Sequence, residues 1–138
     1  GERSSSLMDE SFILEIISPE KIIFSEKVNM VTIPSYEGDM SLLKNHISII
    51  AFLRPGILKV EKDKGMKESF FAQDGTAEFF DNKLVVLSSS IENIKNLSKE
   101  FLDILNKETQ DKISQQNITD QERYILNHKL EVLKEIRN

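Results

Sequence analysis

The sequence predicts a β-sandwich of about ten short strands followed by an antiparallel hairpin of two helices. Hydrophobic residues alternate with a period of two from residue 12 to residue 87, and turn-forming residues interrupt them at short intervals. After Ser88-Ser89-Ser90 the hydrophobic period becomes about 3.6, the period of an α-helix. This single change of period places the boundary between a β domain and a helical domain near Ser90.

Two hydrophobic patterns occur within the β region. A strand with one buried face has an apolar residue at every second position. This pattern occurs at Phe12, Leu14, Ile16, Leu58 and Val60. The run from Leu84 to Leu87 contains no polar residue, which predicts a strand buried on both faces. Two sheets that pack face to face would explain both patterns.

Short turn signals separate the predicted strands. Glycine supplies positive φ, proline presets φ, and Asp and Asn form local side-chain turns. The signals are Glu37-Gly38, Pro55-Gly56, Lys64-Gly65, Asp74-Gly75 and Asp81-Asn82. Their regular spacing supports strands that are short and antiparallel.

Two amphipathic helices follow the β region. We expect the first to begin near Asn96, with one apolar stripe formed by Leu97, Phe101, Ile104 and Leu105. The segment 106–117 is polar and separates the two helices. Thr119 and Glu122 have the spacing of a capping box, which predicts the start of the second helix. The apolar positions of that helix are Ile125, Leu126, Leu130, Val132, Leu133 and Ile136.

The chain therefore divides into three predicted parts. We expect residues 1–8 to be disordered, and we interpret Gly1 to Ser6 as a vector remnant with Met8 as the native start. Residues 9–90 form the predicted sandwich, and residues 91–138 form the predicted hairpin. Isolated helices of this length are marginal in water, so the hairpin must pack on itself, on the sandwich or on a partner.

Composition excludes several classes of function. The formal net charge is -5, which offers no field for nucleic acid. The absence of cysteine excludes disulfides and thiolate metal sites and fits a reducing compartment such as the cytoplasm. The longest apolar stretch, Ile47 to Leu53, is far shorter than the roughly 20 residues that span a bilayer. Any membrane association is therefore expected to be peripheral.

Residue patterns of catalysis are also missing. His46 and His128 lie in different predicted modules without a metal-binding motif, and we interpret them as surface or packing residues. Ser88-Ser89-Ser90 lacks the context of a nucleophile elbow, and we interpret it as a linker or a capping segment. The five glycines form no phosphate-binding loop. We expect no catalytic residue, no metal and no cofactor.

The segment from Met30 to Val60 carries the most informative motif. It contains an acidic-Gly-acidic turn, Glu37-Gly38-Asp39, then His46, and then Leu53-Arg54-Pro55-Gly56 before a strand. This order resembles the ATP synthase epsilon-subunit family of bacterial F-type enzymes, whose mitochondrial counterpart is called delta. The stretches 12–24 and 75–87 agree with the same family. The chain departs from it between Ser41 and Ser48, where a glycine, a Pro-Gly and a second proline of the family are lost. Lys44-Asn45 stands in place of the Pro-Gly, and Asn45 is suited to a left-handed conformation.

The resemblance implies a rotor component without bond chemistry. In this family the sandwich docks on the gamma subunit and rests on the loops of the c-ring, so that proton translocation is coupled to ATP synthesis. It implies partner contacts at Glu37, Gly38, Asp39 and His46. It also implies a peripheral location on the cytoplasmic face of the bacterial inner membrane. From the residues alone, the acidic-Gly-acidic turn is equally consistent with an ordinary solvated hairpin.

The family's helical hairpin either folds beside the sandwich or extends toward the catalytic alpha and beta subunits and inhibits ATP hydrolysis. The segment 106–117 would be turn in one state and hinge or helix in the other. The inhibitory contacts would come from Arg123, Lys129, Lys134 and Arg137. Equal numbers of acids on the same helix favour a solvated face instead.

Some family members bind ATP at a motif that begins their first helix. Leu97 to Leu102 lacks the aspartate, the arginine and the alanine of that motif, so we predict no ATP binding here. Outside this family, the alternative is a free-standing β-sandwich with a helical tail that binds a peptide or ligand. An enzyme is third, since it would need a catalytic constellation.

Overall fold

The computed structural model describes residues 10–137, in which ten strands form two five-stranded sheets and two helices follow them. This arrangement confirms the predicted fold class. The strands are β1 Phe12–Ile17, β2 Ile22–Val28, β3 Met30–Ser35, β4 Gly38–Leu42, β5 Ile49–Phe52, β6 Gly56–Glu61, β7 Lys67–Ala72, β8 Thr76–Phe80, β9 Lys83–Leu87 and β10 Ile91–Asn93. The start predicted to be disordered, residues 1–8, lies outside the described residues.

The two sheets differ in how their strands are connected. The first sheet has the order β2-β1-β9-β8-β5, and the second has the order β10-β7-β6-β3-β4. Neighbouring strands are antiparallel except β1 and β9, which run parallel and join the first strand of the sandwich to the ninth. The sheets pack face to face around one hydrophobic core, which is the geometry of a sandwich.

The core contains the residues that alternation predicted. Phe12, Leu14 and Ile16 are buried, as are Leu58 and Val60. The prediction for the run from Leu84 to Leu87 was wrong, because Leu84 and Val86 are buried but Leu87 is 49% exposed. Strand β9 belongs to the first sheet, whose outer face is covered by no element within residues 10–137, so only its inward side chains are shielded from water by the described structure.

Local chemistry sets the starts of both helices. Helix α1 spans Lys99–Ile113 and α2 spans Asp120–Arg137. The Ser98 hydroxyl accepts a hydrogen bond from Phe101 N at the start of α1. The capping box of α2 is confirmed, since Glu122 accepts from Thr119 N (3.1 Å) and Glu122 N donates to the Thr119 hydroxyl (3.0 Å). The hydrogen bond from the backbone N–H of Thr119 lowers the pKa of the Glu122 carboxyl, because it favours the ionised form.

The first helix differs from its prediction in three respects. It begins at Lys99, because a short 3-10 turn at Ile94–Asn96 precedes it. It continues to Ile113, so that only residues 114–119 of the polar segment join the helices. Its buried face is formed by Leu102, Leu105 and Thr109, whereas Phe101 and Ile104 are 42% and 59% exposed. Two neighbouring stripes of α1 fit the helical period, and packing against the second sheet selects one of them.

The helices lack the length and apolar character of a membrane span. No helix within residues 10–137 is long and apolar enough to cross a bilayer.

Candidate functional site

The outer face of the second sheet is covered by the helical hairpin. Phe71 projects outward from β7 and is only 2% exposed, because it packs with Leu102 and Leu105 of α1 and Leu133 of α2. Helix α2 also contacts β6. Removing this much apolar surface from water fixes the hairpin on the sandwich. The hairpin therefore lies folded beside the sandwich in this structure.

The outer face of the first sheet carries a row of four apolar side chains and one threonine that crosses all five strands. Strand register places these residues side by side, because each is the direct partner of the next. The row is Phe52, Thr76, Leu87, Ile17 and Ile22. Phe52 is 65% exposed and Ile22 is 61% exposed. No described element shields this row from water.

Two more large apolar side chains extend the row into a patch. Ile50 and Phe80 are 68% and 67% exposed on the same face. We call Ile17, Ile22, Ile50, Phe52, Phe80 and Leu87 the apolar face. Charged side chains lie on the same face, namely the ion pair between Lys83 and Glu15 (3.3 Å) and the exposed Glu78, which is the strand partner of Ile50. Contiguous apolar patches on a protein surface mark interaction sites, so the apolar face is the leading candidate for docking a partner.

Sequence analysis did not identify the apolar face. The signal was present in strands that lack alternation, namely β5 with Ile49 to Phe52 and the run from Leu84 to Leu87. We interpreted the second run as burial on both faces. A strand whose outer side chains meet a partner has the same pattern as a fully buried strand.

A constrained turn supports one end of the apolar face. The Asp74 carboxylate accepts hydrogen bonds from the hydroxyls of Ser88 (3.1 Å) and Ser89 (2.8 Å). Gly75 has φ of +139°, and a Cβ at this position would clash with the carbonyl oxygen of Leu87. The turn therefore requires glycine and holds the end of β9 in place. A cavity of about 470 Å³ lies beside it, lined in part by Ile17, Pro19 and Leu87.

The predicted acidic turn lies at the β3–β4 hairpin. Glu37 is exposed in the turn, and Gly38 opens β4 with φ of +117°. Asp39 was predicted to lie in the turn itself but is the second residue of β4, opposite Pro34. Glu37 N donates to the Ser35 hydroxyl (3.3 Å), which in turn donates to the carbonyl of Gly38. These bonds close the turn tightly enough for β4 to begin at Gly38.

Asp39 belongs to a polar chain that reaches the helical hairpin. Its carboxylate is 65% exposed and lies 3.9 Å from Arg54 Nη2. Arg54 Nη1 donates to His128 Nε2 of α2 at 3.2 Å, since a guanidinium has no acceptor. The Tyr124 hydroxyl lies 3.1 Å from the same His128 nitrogen. Arg54 therefore connects the acidic turn to α2.

His46 is separated from the acidic turn. It follows the far end of β4, where its ring meets Phe79 edge-on (5.8 Å between centroids) and its Nδ1 lies 2.8 Å from the carbonyl oxygen of Ile47. The preceding Asn45 has φ of 68°, which confirms the predicted left-handed turn. The side chain of Asn82 holds this turn with two hydrogen bonds. Its Oδ1 accepts from Asn45 N (2.6 Å), and its Nδ2 donates to Asn45 Oδ1 (3.1 Å). The four predicted partner residues thus occupy two ends of β4.

The four predicted inhibitory cations lie on α2, and two of them hold the folded hairpin. Arg123 Nη1 donates to the carbonyl of Ile113 at the end of α1 (3.0 Å), and Arg137 pairs with Asp103 of α1 (3.0 Å). Lys129 is half-buried, and this burial lowers its pKa. Lys134 is exposed. Lys99, Lys134 and Arg137 line part of a cavity of about 560 Å³ between the helices.

Metal ligation has no support in the described part of the chain. Residues 10–137 contain no group of three or more His, Asp and Glu side chains placed to hold an ion. His46 and His128 lie on separate elements, one packed against Phe79 and one against Tyr124.

Comparison with known proteins agrees with this architecture. Residues 11–94 match the family model described as "ATP synthase, Delta/Epsilon chain, beta-sandwich domain". The ATP synthase epsilon chain of Pelagibacter ubique is 43% identical over 128 residues, covering 92% of this chain and 98% of the relative. That of Parvibaculum lavamentivorans is 33% identical over 135 residues, covering 95% and 98%. A chain in the Euglena gracilis mitochondrial ATP synthase structure, which contains OSCP, F1 and c-ring, has a TM-score of 0.72 and 25% identity, covering 93% of this chain and 80% of that one.

Proposed function

This chain belongs to the ATP synthase delta/epsilon family, and from that premise we propose which of its surfaces meet which partners in the rotary complex. It is an epsilon subunit of the central stalk of an F-type ATP synthase and is not itself catalytic. Its contribution to coupling proton translocation with ATP synthesis is therefore mechanical. The functional sites of this chain are therefore the surfaces that bind and orient its partner subunits.

The apolar face is proposed to dock on the gamma subunit. The observation that carries this assignment is the contrast between the two sheets, since the hairpin covers the outer face of one and leaves Phe52, Phe80 and Leu87 exposed on the other. A subunit of the central stalk needs a permanent contact with the gamma subunit, and permanent interfaces are rich in apolar side chains. The hairpin then remains free to move without releasing the sandwich.

Co-purification tests this assignment. When the full chain is produced together with the gamma subunit of its own enzyme, we expect the two to elute as one stable complex. A free-standing sandwich that binds a peptide or ligand would elute without gamma, which would favour that alternative.

The acidic turn is proposed to rest on the loops of the c-ring. Asp39 is exposed at the end of the sandwich where β3 and β4 turn, with Glu37 and Gly38 shaping its surroundings. A carboxylate there accepts charge-assisted hydrogen bonds from polar groups of the loops, and such bonds fix orientation well. His46, at the other end of β4, is proposed to contact gamma instead of the ring.

We expect Asp39→Ala to leave the subunit folded and to weaken coupling in the assembled enzyme. The long (3.9 Å) pair of the exposed Asp39 carboxylate with Arg54 contributes little to folding, whereas the loss of a partly desolvated contact on the ring costs about 1 to 3 kcal/mol. The measurement is ATP-driven proton pumping relative to ATP hydrolysis in reconstituted membranes, with a melting curve of the free subunit. An unchanged pumping ratio would make Asp39 a solvated strand residue.

The hairpin is proposed to regulate ATP hydrolysis by leaving the sandwich and extending toward the alpha and beta subunits. In the extended state Arg123 and Arg137 lose their partners on α1 and become available to acidic loops of those subunits, together with Lys129 and Lys134. Extension also exposes Phe71 and Leu133, so a partner surface must replace their apolar contacts. Residues 9–90 would then be the rotor-docking domain, and residues 91–138 the regulatory domain.

We expect no specific ATP binding at millimolar nucleotide. Phe101 stands where the family's nucleotide motif has arginine if the motif is aligned from Leu97, and Asn106 stands there if it is aligned from Leu102. Arg137 at the cavity between the helices is already paired with Asp103. The remaining lysines present point charges without the fork geometry that grips a phosphate. Isothermal calorimetry checks this, and stoichiometric heat on titration with MgATP would contradict it.

The location that accompanies this assembly is the cytoplasmic face of the bacterial inner membrane. The chain would be held there through the c-ring and the stalk, as a peripheral subunit of the membrane complex.

A further inference from the structure

Arg54 has a rigid attachment to the sandwich. Its backbone N–H donates to the carbonyl of Pro34 (2.9 Å), and Pro34 is the strand partner of Asp39. The following turn packs so closely that a Cβ on Gly56 would overlap the ring of Pro34. The Arg54 side chain is only 18% exposed. The position of its guanidinium is therefore set by the same pair of strands that presents Asp39.

The guanidinium holds its two partners through different nitrogens. Nη2 faces the carboxylate of Asp39, and Nη1 donates to His128. The two contacts are compatible because the planar fork of arginine presents parallel donors, and fixing one nitrogen orients the other. The contact with Asp39 thus helps to hold Nη1 in the direction of His128.

We propose that Arg54 is a positioning residue that couples the acidic turn to the docking of α2. When Asp39 holds the guanidinium, Nη1 points at His128 and the hairpin is held. When Asp39 is drawn to another partner, Arg54 reorients and the contact with α2 weakens. Linkage makes the coupling reciprocal, so release of α2 also changes how firmly Asp39 is held.

The surroundings of this contact favour a reversible link. A cavity of about 230 Å³ opens between the second sheet and α2, with Lys59, Glu131 and Glu135 around Arg54 and His128. The apolar cluster of Phe71 and the helix leucines supplies most of the free energy of docking the hairpin. The hydrogen bond between Arg54 and His128 at its edge adjusts the equilibrium between the docked and the released hairpin. A single hydrogen bond such as that between Arg54 and His128 contributes a small net free energy, which suits adjustment better than permanent attachment.

One consequence rests on the proposed function. If the ring loops engage Asp39, contact with the c-ring weakens the docking of the hairpin on the sandwich. Conversely, a ligand or partner that holds the hairpin in place would change the affinity of Asp39 for the c-ring loops. The coupling itself is a property of the free subunit. It can therefore be tested without the ring, and its failure leaves the assignment of Asp39 to the ring unaffected.

Hydrogen exchange of the full chain, followed amide by amide, tests the coupling. An undocked helix of this length is marginal, so exchange of α2 amides reports its release. We expect Arg54→Gln and His128→Ala each to accelerate exchange in α2 by about fivefold, with no further change in the double variant, because both remove the hydrogen bond between Arg54 and His128. We expect Asp39→Asn to accelerate it by about twofold, since it removes only the orienting partner.

Glu37→Gln is the matched control. It removes the same charge from the same turn, but its carboxylate forms no ion pair with Arg54 among the described residues. Equal effects of Asp39→Asn and Glu37→Gln would overturn the proposal, as would additive effects of Arg54→Gln and His128→Ala. The proposal would also be overturned if Arg54→Gln accelerated exchange equally in α2 and in the strands of the sandwich, because Arg54 would then stabilise the whole fold.

Discussion

Replacing Phe52 by glutamate is expected to abolish capture of the gamma subunit while the free chain keeps its fold. Phe52 lies on the edge strand β5, at one end of the row that crosses the apolar face, and is 65% exposed, so its removal opens no cavity in the core. At an interface, a buried carboxylate without a partner and a lost aromatic anchor together lower affinity by about 100-fold or more. The measurement is binding of purified gamma to the immobilised chain, with a melting curve of each variant.

Met66→Glu provides the control for this substitution. Met66 is 60% exposed just before β7 of the second sheet, away from the apolar face. Met66→Glu, like Phe52→Glu, replaces a large exposed apolar side chain by a carboxylate, and we expect it to leave gamma binding unchanged. Equal loss of binding in both variants would show that net charge decides the association. Full binding by the Phe52 variant would place the gamma contact on another surface.

Leu133→Ala is expected to release the hairpin and leave the sandwich folded. Leu133 is fully buried at the junction of α1, α2 and Phe71, and truncating a leucine in such a site costs about 2 to 5 kcal/mol. Because the sandwich has its own core, that loss falls on the docking of the helices. Trypsin should then cleave within α2 roughly 30-fold faster or more, while the fragment of the sandwich persists.

Ile104→Ala is the matched deletion on α1. Ile104 is 59% exposed, so removing its methyl groups should barely change the rate of cleavage. Cleavage that is as slow in the Leu133 variant as in the parent chain would mean that the hairpin is held elsewhere. Cooperative loss of the sandwich in the same variant would mean that both parts unfold as one unit.

The sequence predicted the features that depend on neighbouring residues. The capping box of Thr119 and Glu122 involves atoms three residues apart, and alternation at Phe12, Leu14 and Ile16 follows directly from the pleat. The left-handed turn at Asn45 likewise depends on the chemistry of that residue. These elements needed no knowledge of the tertiary structure.

Features that depend on distant contacts were missed for a physical reason. The helical period allows more than one stripe on α1, and only contact with Phe71 decides that Leu102 is buried and Phe101 is not. The junction of Arg54 with His128 joins residues 74 positions apart, for which one sequence carries no signal. The motif around Asp39 identified a family, but the separation of Asp39 from His46 follows from the length of β4.

The parallel pair of β1 and β9 has a consequence for synthesis of the chain. The first sheet lacks its central strand, β9, until Leu87 has left the ribosome. The edge of β1 that pairs with β9 therefore stays unpaired during most of the synthesis of the sandwich. Closing so long a loop makes such topologies slow to fold. The helices emerge afterwards and form locally, but they are stable only once Phe71 is in place to receive them. The helical hairpin, for which we propose movement, is thus the last part of the chain to be synthesised and the last to become stably packed.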